Sequence, residues 1–161
     1  MRSTALAIGV AVCLGPSGVE ARQDVSALEG AWRVDQVVTT GPGGATNDAP
    51  QPGLLLFTGR HYSYTLVTGD APRPELGPGF ATAEGLLAVW SPFSANAGTF
   101  EISGSTMTRR PIVAKSPDAM AEGAYNEYTF RLSADTLWVT AVGTEGGPAR
   151  YPTTVRYLRL R

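Results

Sequence analysis

Apolar and polar residues alternate along most of this chain in short runs that end at glycine or proline. Such runs are typical of half-buried β-strands, because successive side chains of a strand point to opposite faces. The first run, Trp32 to Thr40, ends at Gly41-Pro42-Gly43-Gly44, and a polar loop continues to Pro52. Two hairpins are predicted later, around Gly104-Ser105 and around Ser133-Ala134-Asp135. The predicted strands are 32–40, 54–57, 61–67, 98–103, 106–114, 125–132, 136–142 and 152–161.

One segment has a helical period. Four apolar residues have the spacing i, i+3, i+4 and i+7, which predicts a short helix over about 82–90. Thr82 would cap its start and Pro92 would end it. We expect the apolar face to pack as core; in the alternative, Trp90 and Phe93 form a lid. The residues of that face are Ala83, Leu86, Leu87 and Trp90.

Eight short strands with short connections predict an all-β fold in which consecutive strands pair antiparallel. A sheet of this kind can close into an up-and-down barrel, which removes its exposed edges and leaves room for side chains or one small ligand. The short helix would be inserted between two strands. A two-sheet sandwich is the structural alternative, and the pattern shows no repeat and no second domain.

The start of the chain predicts export. Arg2 precedes an apolar run from Thr4 to Gly15, and Val19-Glu20-Ala21 provides small residues for cleavage, so residues 1–21 read as a secretory signal peptide. The expected mature domain is 22–161, in the periplasm or secreted. The only cysteine, Cys13, lies in the predicted signal, so the mature domain would have no disulfide. The alternatives are a buried N-terminal helix and lipid attachment at Cys13.

Composition excludes several classes of function. Thirteen basic and fourteen acidic residues give a formal net charge of −1, which is not the charge of a nucleic-acid binder. No segment after residue 21 is apolar enough to span a membrane. His61 is the only histidine, which argues against a histidine-rich metal site. Ser63 lies two residues from His61, but no nucleophile-elbow pattern surrounds it, so we expect no catalytic triad. We also expect no metal and no cofactor.

Gly30-Ala31-Trp32, at the start of the first predicted strand, and four later segments together resemble the lipocalin-like domain of small exported bacterial proteins. Gly-x-Trp at the start of the first strand is the lipocalin motif, and here it is Gly30-Ala31-Trp32. The resemblance extends from Leu28 to Arg161 and implies an eight-stranded up-and-down barrel with a ligand cavity. It does not identify a ligand. The other segments that carry it are 59–63, 97–104, 111–117 and 157–160.

The resemblance places Trp32 inside the barrel, where we expect it to fill the closed end. Arg156, Arg159 or Arg161 would pack over it, as a C-terminal arginine does in lipocalins. Strand alternation then assigns inward faces. The predicted lining residues are Val34, Gln36, Val38, Tyr62, Tyr64, Phe100, Ile102, Arg109 and Phe130.

Arg109 is the most informative of these residues. The more apolar face of its strand carries Met107, Arg109, Pro111 and Val113, which would place a guanidinium inside the barrel. Burying an unpaired charge is costly, so this group would need a carboxylate, carbonyls or an anionic ligand. Arg109 with Tyr62, Tyr64 and Gln36 would then hold the head group of an amphipathic ligand. In the alternative, Arg109 reaches water near the mouth or closes the end at Trp32.

These features predict a non-catalytic barrel that binds one small apolar or amphipathic molecule. Two alternatives remain open. One is an isomerase or cyclase acting on a hydrophobic substrate, in which Arg109 or a tyrosine polarises a carbonyl or enol. The other is a protein-binding or inhibitor module with a filled core and functional loops at 41–52 and 69–81. The sequence does not indicate the oligomeric state.

Overall fold

The computed structural model describes residues 25–77 and 82–161. The predicted signal peptide, 1–21, and Cys13 lie outside the described residues, so export stays a prediction. Nine strands and one α-helix make up most of the described chain. Single turns of 3₁₀ helix cover Val25–Leu28 and Pro117–Met120, and the α-helix, α1, is Ala83–Trp90. The strands are β1 Gly30–Thr39, β2 Thr46–Asn47, β3 Gly53–Thr58, β4 His61–Val67, β5 Phe93–Ser103, β6 Thr106–Ala114, β7 Asn126–Ser133, β8 Thr136–Thr144 and β9 Gly147–Arg159.

The strands form a closed antiparallel barrel. Each strand from β3 to β9 pairs with its neighbour in the chain, and β1 pairs with both β3 and β9, so the sheet has closed on itself. The predicted eight-stranded up-and-down barrel is therefore confirmed. The short strand β2 is an addition within the predicted loop 41–52, where it pairs with the end of β1.

The two ends of the barrel differ. At the lower end the connections are tight hairpins, including the two predicted at Gly104-Ser105 and 133–135. The upper end carries the long connections 40–52 and 68–92. Large apolar side chains therefore collect in the lower half, and the upper half stays open. The buried core consists of Leu28, Trp32, Leu55, Phe57, Tyr62, Phe100, Met107, Phe130, Leu137, Val139 and Tyr157.

Trp32 fills the lower end, as predicted. Its indole N–H donates to the Leu28 carbonyl at 2.8 Å, which satisfies the polar atom of a fully buried ring. Of the three candidate arginines, Arg159 is the one that covers it, with its guanidinium carbon 4.0 Å from the ring centre. The same guanidinium donates to the carbonyls of Ala27 and Glu29 and so ties the N-terminal turn to the last strand.

A β-bulge reverses the side-chain faces in the upper half of β1. Val34 lies opposite Tyr157, and Gln36 lies opposite the next residue, Arg156, so Asp35 is the extra residue. A one-residue insertion exchanges inward and outward positions beyond it. The predicted inward orientation of Gln36 and Val38 is wrong for this reason.

A second bulge lies in β6, where it pairs with β5. Ala97 lies opposite Val113 and Gly98 opposite Pro111, which leaves Ile112 as the extra residue. Val113, predicted to face inward, is 60% exposed as a result. Gly98 permits the close approach, because a Cβ there would lie 2.0 Å from the Arg110 carbonyl oxygen.

Helix α1 begins and ends where the period predicts, with the Gly85 N–H donating to the Thr82 hydroxyl at 3.1 Å. The predicted packing of its apolar face is wrong. Leu87 is 63% and Trp90 55% exposed, whereas Val89 on the other side is half-buried. The helix lies outside the barrel beside the upper ends of β3 and β4. The side of the helix that carries Gly85 and Val89 is the one turned towards the barrel. No helix within the two described ranges is long and apolar enough to cross a membrane.

Candidate functional site

Arg109 lies at the boundary between the filled and open halves of the barrel. It is on β6, directly opposite Phe100 of β5, and its side chain points inward with only 2% of the residue exposed. Its Nε donates to the Met107 sulfur at 3.2 Å. The predicted inward orientation of this arginine agrees with the structure. The alternative placements, in water at the mouth or against Trp32, do not.

Aromatic rings surround the guanidinium. Its carbon lies 4.5 Å from the ring centre of Tyr128, 5.0 Å from that of Tyr62 and 5.4 Å from that of Phe57. Such contacts stabilise a desolvated cation by about 2 kcal/mol. They do not neutralise its charge, and within residues 25–77 and 82–161 Arg109 forms no ion pair. Its Nη2 is buried and has no hydrogen-bond partner in that part of the chain.

Three tyrosines near Arg109 are held in their neutral form. Burial raises the pKa of Tyr157 to about 12, and the nearby Arg109 only partly opposes this rise. Burial likewise raises the pKa values of Tyr62 and Tyr128 above the usual range. Neutral phenols can donate hydrogen bonds. The surroundings of the cation therefore contain donors and rings but no compensating negative charge.

A small inner chamber opens above Arg109. Its volume is about 120 Å³. Tyr64 stands on its wall, and its hydroxyl accepts a hydrogen bond from the Asn96 side-chain amide at 3.1 Å. The Asn96 carbonyl oxygen is buried with no partner among the described residues. The inner chamber is lined by Tyr64, Leu66, Arg109, Tyr128, Val139, Ala141, Thr153, Val155 and Tyr157.

The mouth cavity lies above the inner chamber and is larger, at about 520 Å³. Leu66, Thr153 and Val155 line both spaces, so the inner chamber and the mouth cavity adjoin at these residues. Its lining is mainly apolar near the strands and polar at the rim. The main contributors are Val34, Val37, Thr39, Ala45, Asn47, Pro50, Gln51, Leu66, Val67, Asp70, Ser94, Thr153 and Val155.

The predicted lining residues fall into three groups. Val34 lines the mouth cavity, and Tyr64 and Arg109 line the inner chamber. A second group lies in or against the filled lower half: Tyr62, Phe100, Phe130 and Ile102. The third group, Gln36 and Val38, faces outward, and the Gln36 amide donates to the Asp48 carboxylate.

The structure adds lining residues that the sequence did not single out. Beyond the bulge, Val37 and Thr39 take the inward positions expected for Gln36 and Val38, opposite Val155 and Thr153 of β9. The alternation Thr153, Val155, Tyr157 was a usable signal for β9. The bulge itself had no clear signal, because Asp35-Gln36 suits an ordinary polar pair on an outward face.

The residues weighed for catalysis or metal binding lie apart from this site. His61 is exposed at the lower end of β4, where it pairs with Thr99. Across the described ranges, no three His, Cys, Asp or Glu side chains cluster as a metal site would require. The inner chamber offers a buried cation, neutral phenols and apolar walls, and the rim of the mouth cavity adds the polar groups of Asn47 and Asp70.

Comparisons with known proteins found distant similarities to solved structures. No family model matches the chain, and no curated protein matches it. A lipocalin-like protein from Bacteroides uniformis is 13% identical, with 83% of this chain and 99% of that chain covered and a TM-score of 0.46. An uncharacterized protein from Bacteroides eggerthii is 8% identical, with the same coverage and a TM-score of 0.45.

A variant of the fluorescent protein UnaG is 12% identical, with 86% of this chain and 99% of that chain covered and a TM-score of 0.39. Identities this low carry no information on ligand or activity. The barrel that the resemblance implies is confirmed by the closed antiparallel sheet of this structure itself.

Proposed function

We propose that the protein binds a small amphipathic anion, with the negative head group on Arg109 and the apolar tail directed through the mouth cavity. One observation carries the proposal. Arg109 is buried at the base of a cavity, its Nη2 lacks a partner, and no carboxylate pairs with it in the described part of the chain. An anion in the inner chamber would supply the missing charge.

The energetics favour a ligand with a full negative charge. A buried cation without a counter-ion is costly, and the three rings around Arg109 offset only part of that cost. Rings flank the guanidinium, Nε donates to Met107, and Nη2 has no hydrogen-bond partner among the described residues, so Nη2 is the group that remains for a ligand. Carboxylates bind such a group with short, charge-assisted hydrogen bonds. The neutral tyrosines would add donors and would not repel an anion.

The remaining walls suit an apolar tail. Val34, Val37, Leu66 and Val155 line the path from the inner chamber to the rim. Small-molecule sites in proteins are mostly apolar with a few placed polar groups, and their usual volumes include that of the mouth cavity. An open upper half also favours ligand binding over an interior filled only by side chains.

The test compares head groups on one tail. Affinities of dodecanoic acid, dodecanol and dodecylamine are measured by calorimetry for the wild type and for Arg109→Met, with Arg110→Met as the matched control. Arg110 is the next residue on β6 and is exposed. We expect the wild type to prefer the acid and Arg109→Met to lose about tenfold or more of that affinity, because a charge-assisted hydrogen bond is lost.

Arg109→Met should also leave the protein folded, because an apolar side chain of similar length replaces a buried unpaired charge. A thermal melt checks this. Equal affinity of the wild type and Arg109→Met for dodecanoic acid would contradict the proposal, as would an unchanged preference for the acid over the alcohol.

Export belongs to the same proposal. The charge at Arg2, the apolar run 4–15 and the small residues before Arg22 support it. Expression of the full chain in a bacterium, followed by mass spectrometry of the periplasmic fraction, should give a protein that begins at Arg22. Recovery of the uncleaved chain in the cytoplasm would contradict export.

A further inference from the structure

A third space, the outer groove, lies outside the barrel beneath helix α1. Its volume is about 450 Å³. Five of the residues that line it do not line the mouth cavity: Pro52, Arg73, Pro74, Leu76 and Val89. Two more, Gln51 and Val67, also line the mouth cavity. The outer groove and the mouth cavity therefore share part of their walls, a lip near the upper ends of β3 and β4.

Specific contacts hold the helix over this groove. The Lys115 ammonium donates to the carbonyls of Trp90 at 2.6 Å and Phe93 at 2.7 Å, at the C-terminal end of α1. The Thr68 N–H donates to the Pro92 carbonyl at 2.7 Å and joins the two ends of the long connection. These contacts fix the exit of the helix to β4 and β6, so the position of α1 is built into the fold.

The side of α1 that faces the outer groove is its least exposed side. Val89 and Gly85, one helical turn apart, are half-buried. Leu76 packs beside Gly85, where an added Cβ would lie 3.7 Å from its Cδ2. Val89 and Leu76 line the groove together with Arg73 and Pro74. At the edge of the groove, the Arg73 guanidinium lies 5.3 Å from the Phe93 ring centre.

We infer that the outer groove is a second subsite for the same ligand, which takes the end of a tail too long for the barrel. This inference rests on the proposed function, because it assumes a tail that leaves the mouth cavity. The tail would cross the lip between Gln51 and Val67 and lie against Val89 and Leu76. The wall shared with the mouth cavity and the apolar side chains of Val89 and Leu76 favour an alkyl or isoprenoid tail as the occupant.

The inference makes chain length a determinant of affinity. Decanoic acid would occupy the barrel only, whereas octadecanoic acid would also fill the outer groove. Each methylene group moved out of water contributes a few-fold in affinity, so loss of the outer subsite should cost about tenfold or more for the long acid. The short acid should be unaffected.

Calorimetric titration with both acids tests this in Val89→Gln and Leu76→Gln. The matched control is Leu87→Gln, which changes a 63% exposed residue on the other side of the same helix. Glutamine retains good helix propensity, so α1 should stay formed in both helix variants. We expect the two groove variants to weaken octadecanoic acid selectively and the control to change neither affinity.

Equal weakening of both acids, or no effect on either, would overturn the inference. Its failure is distinguishable from failure of the proposed function. Arg109→Met reports on the head group and should weaken both acids alike, whereas the groove variants report only on the difference between long and short tails.

Discussion

The Arg159 guanidinium lies 4.0 Å from the centre of the Trp32 ring, so the last strand closes over the first at the lower end of the barrel. It also donates to the Glu29 carbonyl at 2.5 Å and to the Ala27 carbonyl at 2.6 Å. One side chain thus covers the buried indole and holds the N-terminal turn. With this end closed, the open upper half is the place where a ligand can enter.

Replacing Arg159 by alanine should destabilise the barrel. Loss of the contact with the Trp32 ring and of the hydrogen bonds to two carbonyls should lower the free energy of unfolding by about 1–3 kcal/mol. Denaturant titration followed by indole fluorescence measures it. Arg161→Ala is the control, because its ion pair with Asp135 is exposed to solvent and should contribute little to stability. Equal effects of the two variants would contradict this account of the closed end.

Gly98→Ala should be among the most destabilising small substitutions in the chain. A Cβ at this position would lie 2.0 Å from the Arg110 carbonyl oxygen, and neither backbone segment can withdraw without breaking the β5–β6 pairing. We expect a loss of about 3 kcal/mol or insoluble protein. Gly77→Ala, where no atom of the described residues beyond the chain neighbours lies within 4 Å of the added carbon, should be neutral in the same thermal melt. A soluble Gly98→Ala protein with wild-type stability would show that the bulge does not form.

Cysteine scanning checks the reversal of faces in β1. In a Cys13→Ser background, Val37→Cys should react with a thiol reagent more slowly when dodecanoic acid is bound, because Val37 lines the mouth cavity. Val38→Cys should react at one rate with or without ligand, because it pairs with the outward Thr154. Protection of position 38 and not of position 37 would show that β1 continues without a bulge.

Buried phenols should make the protein less stable in alkali. Burial raises the pKa of Tyr157 from 10.0 to about 12, so between these pH values the unfolded chain has released a proton that the folded protein retains. Stability from this group is fully present below pH 10.0 and falls as the pH rises towards 12. Denaturant titrations across this range should show a shallower decline in Tyr157→Phe than in the wild type. The same decline in both proteins would contradict this assignment.

The sequence predicted the barrel and the inward arginine but not the full lining of the cavity. Alternation along β4 follows the pleat, and the irregularities of β7 and β8 lie near their upper ends, at Glu127/Tyr128 and Ala141/Gly143. The faces of Tyr62, Tyr64 and Phe130 can therefore be predicted correctly. In β1 the alternation is interrupted at Asp35. The extra residue of a bulge has no distinctive composition or charge, so the sequence does not reveal it. Pairing with β9 determines it, and that pairing is a contact across more than one hundred residues.

The helix illustrates a different limit of prediction from sequence. The period of apolar residues predicted α1 correctly, because capping by Thr82 and termination at Pro92 are local effects. Which face packs against the barrel depends on where Lys115 and Thr68 hold its end. Those contacts are distant in sequence, so Leu87 and Trp90 were assigned to the core although they are exposed.

The most direct test of the central claim is a crystal structure of the protein with dodecanoic acid that carries a bromine on its terminal carbon. Anomalous scattering from bromine shows which way the ligand lies. The account predicts the carboxylate within hydrogen-bond distance of Arg109 Nη2 and the bromine in the mouth cavity, near Val37 and Val34. Bromine in the inner chamber, with the carboxylate at the rim, would contradict the role of Arg109 as the anion-binding residue.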